Sequence, residues 1–239
     1  KSVIRGPAGP LMTDFFLPRM LDVPGKSNGA WMEYFWWEVR NFGYQSPYIA
    51  EMTNLDWLLL DLLANRAGLP LHRFLGADRD WAAVYKGGGS VLLSDEALIQ
   101  DLQRFKDEGY QTTKFKIGGS GAGFSQDIRR LEKARRALGD DFGIAVDANQ
   151  AWDAKTAFAF AKEAAPFGVA WLEEPVHAYD MDALRELRDL LDNAGIVMEI
   201  AMGESVRSYH THVAYAQHGV DHLQPARLCC IAENMRVRE

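Results

Sequence analysis

GIAVDANQAWDAKTAFAFAKEAAPFGVAWLEEP, residues 143–175, holds one complete strand–helix–strand unit. GIAVDAN is short and apolar up to Asp147, the pattern of a strand buried on both faces. Asp153 is placed to cap a helix that runs to about Ala165. VAWLEEP then reads as the next strand, ending in Glu173 and Glu174 before the breaker Pro175. Working outward, TTKFKIGG (112–119) is a strand with a helix over 126–138, and AAVYKGG (82–88) is a strand with a helix from the cap Ser94 to about Glu108. On the other side come a helix near 181–191, the strand VMEIAMGES (197–205), a helix over 209–218, the strand DHLQPA (221–226), and the start of another helix in LCCIAENMRV.

This alternation implies an α/β fold with a parallel sheet. Residues of ligand type end several consecutive strands, which favours a (β/α) TIM-type barrel over an open sheet, where chemistry gathers at one switch point. A full barrel has eight strands and six are read here, so the barrel is expected to be incomplete at its C-terminal side. The division expected is an N-terminal α+β capping region over 1–79, itself incomplete, and a barrel domain over 80–239. Within the first region, residues 1–30 are rich in Gly and Pro and read as loop or extended structure, with a mobile turn at 25–29. WMEYFWWEVRNFGY (31–44) is aromatic and partly alternating, which suits a strand. A helix capped by Thr53 or Asn54 follows, carrying Leu55, Leu58, Leu59, Leu62 and Leu63 on one face and stopping at Gly68 and Pro70.

Net charge is −7 and no basic stripe interleaved with aromatics is present, which argues against a nucleic-acid partner. The apolar run 57–63 contains Asp61 and is far too short to span a bilayer, so no membrane partner is expected. The two cysteines, Cys229 and Cys230, are adjacent and form no disulfide framework. With no apolar signal segment in KSVIRGPAGPLMTDFF, a cytoplasmic location is expected.

Asp147, Glu173 and Glu204 end successive strands, separated by 26 and 31 residues, about one strand–helix unit each. That sets three carboxylates side by side at the rim where barrel active sites lie. They repel unless a cation sits among them, and hard oxygen donors without Cys or His select Mg²⁺, with Mn²⁺ second. One strand earlier, Lys114 and Lys116 flank Phe115, and period-two alternation points both to one face. Two ammonium groups beside a metal are expected to depress each other's pKa, so that one can act as a base. A lone Lys-x-Lys is usually a solvated edge, and a lone strand-end Asp is usually a cap. Lysines followed by three acids, one per consecutive strand, are another matter.

KFKIGG, VDANQAW, WLEEPV and MGES, in that order, resemble the barrel motifs of the mandelate racemase and muconate lactonizing branch of the enolase superfamily. TNLDWLLLDLLANRAGLPLHRFLGA resembles the helix leading from that family's capping domain into its barrel, and the likeness covers about residues 50–230. It implies Mg²⁺ on Asp147, Glu173 and Glu204, Lys116 as acid/base and Lys114 on the substrate carboxylate, with Asn149 and Glu174 in support. The shared chemistry it implies is removal of the proton α to a carboxylate, giving a metal-stabilised enediolate. It also implies a homo-oligomer.

The sequence departs from both branches at the sixth strand. DHLQPARL has no lysine of the muconate type, and Ala226 stands where the racemases carry the Asp that orients a histidine. Asp221 lies at the strand's start, too far from the rim to replace it. One-base chemistry survives this loss best, so the expected activity is a carbon–oxygen lyase reaction, dehydration of a sugar acid to a 2-keto-3-deoxy acid. The alternatives are a racemase, epimerase or cycloisomerase of a hydroxy acid, or a family member that binds metal without turnover. A nucleotide-binding open sheet has no glycine fingerprint to support it. His177, after the Glu-Glu-Pro motif, is a candidate substrate contact, though a rim histidine with no role is the plainer reading. His210, His212, His218 and His222 read as surface or capping residues, and Gly87, Gly88 and Gly89 as a turn. Trp31, Trp36 and Trp37 are expected to pack between cap and barrel.

Overall fold

The computed structural model describes residues 9–22, 25–119, 123–226, 228 and 230–237. The readings of residues 1–8 and of Cys229 fall outside the described residues. A π-helical segment, Leu11–Phe16, runs into α1 (Leu17–Asp22), followed by α2 (Asn28–Val39), α3 (Pro47–Arg66) and α4 (Leu71–Phe74). The alternating part comprises β1 (Lys86–Gly88), α5 (Asp95–Asp107), β2 (Thr112–Lys116), α6 (Ser125–Leu138), β3 (Gly143–Asp147), α7 (Ala154–Ala164), β4 (Val169–Glu173), α8 (Met181–Asn193), β5 (Ile200–Met202), α9 (Tyr209–Gln217), β6 (His222–Leu223) and α10 (Ile231–Val237). Two compact units result: Ala83–Gly203 with Ala214–Gln224, and the described residues up to Ala82 with Glu204–Val213 and those from Pro225 on.

In the alternating unit all strand pairs are parallel and the order is β1-β2-β3-β4-β5-β6. Each strand lies beside its sequence neighbours with no reversal, the order of a barrel wall and not of a doubly wound sheet. The helices bury the stripes their sequences carry: Leu98, Leu102 and Phe105 on α5, and Leu184, Leu187 and Leu191 on α8. Each leucine so buried contributes about 1.5–3 kcal/mol. Ser94, Asp153 and Asp180 each accept a backbone N–H from the first turn of α5, α7 and α8. The capping expected of Ser94 and Asp153 is therefore present.

Of the glycines read as a turn, Gly87 and Gly88 belong to β1, and Gly89 follows it. Gly89 has φ +61°, and a Cβ there would lie 2.5 Å from the Phe115 Cβ. Phe115 is wholly buried, so neither partner can move away. Gly89→Ala is expected to destabilise by about 2–3 kcal/mol through overpacking and left-handed strain. A urea midpoint unchanged from the parent would refute this.

The N-terminal unit corrects several readings. Residues 31–44 do not form a strand, because Trp31, Phe35 and Val39 recur every four residues and are all buried, making one face of α2. Ser27, read as part of a mobile turn, caps that helix through the N–H of Ala30. The stretch before residue 30 is also largely helical where described. α3 starts not at Thr53 or Asn54 but at Pro47, whose missing N–H is no loss in a first turn. Thr53 sits inside α3, its hydroxyl near Ile49 O (3.0 Å) and Leu228 O (2.5 Å). Trp31 stacks on Phe35 and Trp36 tilts against Tyr44 within this unit's own aromatic core, while Trp37 is exposed. Trp31 and Trp36 thus belong to that cluster.

Candidate active site

Strand register assembles the site. Lys116 pairs with Asp147 across β2 and β3, and Asp147 pairs with Glu173 across β3 and β4. Glu173 in turn pairs with Ala201 on β5, three residues before Glu204. One carboxylate oxygen from each of Asp147, Glu173 and Glu204 lies within 4.8 Å of the other two. Asp147 and Glu173 are wholly buried and Glu204 is exposed.

Both lysines are turned onto this cluster, as the alternation predicts, while Phe115 between them points into the core. The Lys114 ammonium bridges Glu173 Oε1 and Asp147 Oδ2, and the Lys116 ammonium bonds Asp147 Oδ2. Lys114 is the buried one, its side chain 11% exposed against 35% for Lys116. Burial presses the Lys114 ammonium towards its neutral form, but the carboxylates of Glu173 and Asp147 outweigh it and hold its pKa above the ordinary lysine range. Burial likewise pushes the Asp147 carboxyl up, and the Lys116 hydrogen bond, the Lys114 charge and the Asn149 N–H together hold it below the usual carboxylate range.

The two ammonium groups occupy carboxylate oxygens that a cation would need, so the cluster is built for positive charge. An all-oxygen donor set fits Mg²⁺ or Mn²⁺. Behind these carboxylates the backbone is held in unusual conformations. Asn149, Gln150 and Glu174 have φ of 44°, 65° and 40°, a region non-glycine residues seldom adopt and which concentrates at functional sites. Asn149 N donates to Asp147 Oδ1 at 2.9 Å, and Gln150 N to Glu174 O at 2.7 Å. A cavity of about 870 Å³ opens beside the lysines, lined by Lys114, Lys116, Asn149 and the glycines 87–89, among others.

His177 is exposed, its Nδ1 accepting the N–H of Tyr179. Asp221 is held at the start of β6 by Arg188 Nη2 (2.6 Å) and Ile200 N (2.8 Å), away from the rim as its position implied. Ala226 is exposed. His212 is not a surface residue: α9 buries it completely with Tyr215 on one face, and its Nδ1 lies 3.0 Å from Ser208 O. Three residues at the site went unread in the sequence: Gln150, Trp171 and Gln224. Gln150 Nε2 reaches Glu174 Oε2, while Trp171 Nε1 and Gln224 Nε2 both reach Glu173 Oε2. For Trp171 a signal existed, since it lies two positions before Glu173 and so on the same face of β4.

A family model described as Enolase C-terminal domain-like matches residues 97–238, more than half of the chain. The chain belongs to that family. Within the enolase superfamily its relatives are of the mandelate racemase and muconate lactonizing branch. The family member L-talarate/galactarate dehydratase of Salmonella typhimurium is 34% identical over 177 residues, which cover 74% of this chain and 43% of that protein. The same enzyme's solved structure, liganded with Mg and L-lyxarohydroxamate, has a TM-score of 0.78 at 30% identity, over 88% of this chain and 53% of that one. A 3,6-anhydro-D-galactonate cycloisomerase from Zobellia galactanivorans gives 0.84 at 25% identity, over 98% of this chain and 65% of that one. The chain spans about half the length, or less, of the curated relatives it matches. Those relatives are enzymes, and they include dehydratases, cycloisomerases and epimerases. Among the described residues no helix is long and apolar enough to cross a membrane.

Proposed function

We propose that this family member serves in Mg²⁺-dependent removal of the proton α to a carboxylate, and that its substrate is a sugar acid dehydrated to a 2-keto-3-deoxy acid. The observation that carries the reading is one juxtaposition: a partly exposed lysine, Lys116, lies on the carboxylate cluster and lines a cavity large enough for a small acid. Asp147, Glu173 and Glu204 would hold Mg²⁺, which when bound supplies charge neutralisation for the substrate carboxylate. Lys116 Nζ takes the α-proton. Lys114 would present positive charge towards the substrate carboxylate. Asn149 fixes Asp147 Oδ1 through its backbone N–H, and Glu174 is held from behind by Gln150. The electron pair left at the α-carbon forms the α,β double bond as the β-hydroxyl leaves as water with a proton returned from the Lys116 ammonium. The resulting enol gives up its hydroxyl proton and takes one from solvent at the β-carbon to become the 2-keto-3-deoxy acid.

Dehydratases among the relatives support the sugar-acid choice. Ala226, which removes the usual partner of a second base, weighs against two-base racemisation. It equally favours one further reading, a member that binds metal but turns over little. We further propose that residues 1–79 form the capping region that selects the substrate, that His177 contacts it from the rim, and that the protein acts as a homo-oligomer. The test is incubation with Mg²⁺ and a panel of sugar acids and hydroxy acids in D₂O, read by NMR. Loss of a β-hydroxyl with Mg²⁺, abolished by EDTA, is the expected result. Exchange with inverted configuration and no elimination would replace dehydration by epimerisation. No exchange with any acid, although Mg²⁺ binds, would favour the inactive reading.

A further inference from the structure

Glu173 is served unequally at its two oxygens. Oε1 meets the Lys114 ammonium, which also touches Asp147, so this oxygen faces the carboxylate cluster. Oε2 accepts Gln224 Nε2 at 2.7 Å and Trp171 Nε1 at 3.2 Å. A carboxylate oxygen has about two lone-pair directions, so two neutral donors fill those of Oε2. Gln224 is pinned in turn, its backbone N–H bonding Met202 O at 2.9 Å. Among the described residues its own Oε1 is buried with no hydrogen-bond partner. Turning the amide over would satisfy nothing and would set that oxygen against the carboxylate, so the donor orientation is forced by Glu173 itself.

We infer that Gln224 and Trp171 are positioning residues that commit Glu173 to cation binding through Oε1 alone. The inference rests on the metal centre proposed above. A neutral donor suits the task, because it fixes the carboxylate without cancelling the charge that a cation needs. An ammonium in the place of Gln224 would compete with the cation for that charge. Gln224 ends the strand whose end in this chain carries neither the lysine nor the aspartate of the two family branches.

The experiment is Mn²⁺ binding to the whole chain, followed by electron paramagnetic resonance and by water-proton relaxation, with no substrate present. Gln224→Met keeps length and removes both polar atoms, while Gln224→Asn keeps the amide but withdraws it by one methylene. Both are expected to bind Mn²⁺ about 10–100-fold more weakly, the usual effect of removing a partner of a metal ligand. Trp171→Phe, losing the longer bond, is expected to lose less. Freed to rotate, Glu173 can offer both oxygens, so the number of exchangeable waters on Mn²⁺ should fall by one in the Gln224 variants. Affinity within twofold of the parent and an unchanged water count in a folded Gln224 variant would overturn the inference while leaving the metal centre standing. If the parent binds no Mn²⁺, or binds it equally well as Asp147→Asn, the metal centre and this inference fall together. Gln224→Asn keeps the test open should Gln224→Met not fold.

Discussion

Replacing Lys116 with alanine is expected to lower exchange of the substrate α-proton by about 10²–10⁴-fold, the usual worth of a general base, while the chain stays folded and still binds Mg²⁺. The asymmetry between the two lysines is the reason. Lys114 is wedged between two buried carboxylates and held charged by them, so it cannot readily give and take a proton. Lys116 contacts only Asp147 among the ligands, keeps about a third of its side chain exposed and lines the cavity. Removing it leaves Asp147 paired with Lys114 at 3.1 Å, so no buried charge is stranded. The measurement is deuterium uptake by NMR with the best acid of the panel, beside a thermal melt and Mn²⁺ titration of the same variant. Exchange within tenfold of the parent in a folded, metal-binding variant would move the base elsewhere.

The order of the site was legible in the sequence because a parallel strand carries its chemistry at one end. Asp147, Glu173 and Glu204 each follow an apolar run, and strand–helix length alone sets them on neighbouring strands. What the spacing could not carry is which group each carboxylate oxygen meets. Trp171 and Gln224 converge on one atom from strands that lie 53 residues apart in the chain, and neither residue type signals such a role by itself. Nor could it show that the Lys114 ammonium sits on two carboxylates at once, since sequence separation does not say which charges meet. In the N-terminal region the failure was of period. WMEYFWWEV is rich in residues that favour strands, and that weighting hid the four-residue recurrence of Trp31, Phe35 and Val39 and the cap at Ser27. His212 was missed because one buried histidine on a short helix leaves no pattern.

Asp147→Ala should do the greatest harm to stability, and its pH dependence tells why. Asp147 is wholly buried and bonds both lysine ammonium groups and the N–H of Asn149. Its loss strands part of the Lys114 charge and opens a cavity, which costs about 3 kcal/mol, the low end for a broken buried pair because Glu173 remains on Lys114. Asp147 titrates below the ordinary range in the folded chain. Its contribution is therefore complete above the unfolded value of about 4 and is lost as pH falls through the folded value. Lys114 is shifted the other way, upward. Its contribution is complete below the unfolded value of about 10.4 and is lost only as pH rises through the folded one. With metal removed by EDTA, the parent should hold a level urea midpoint between about pH 5 and 9 and lose stability below about pH 4. Asp147→Ala should start lower at pH 7 and fall less steeply in acid, having already lost the group that protonation disables. Equal midpoints at pH 7, or parallel acid limbs, would mean that the carboxylate and the two lysines are not energetically joined in the way their geometry requires.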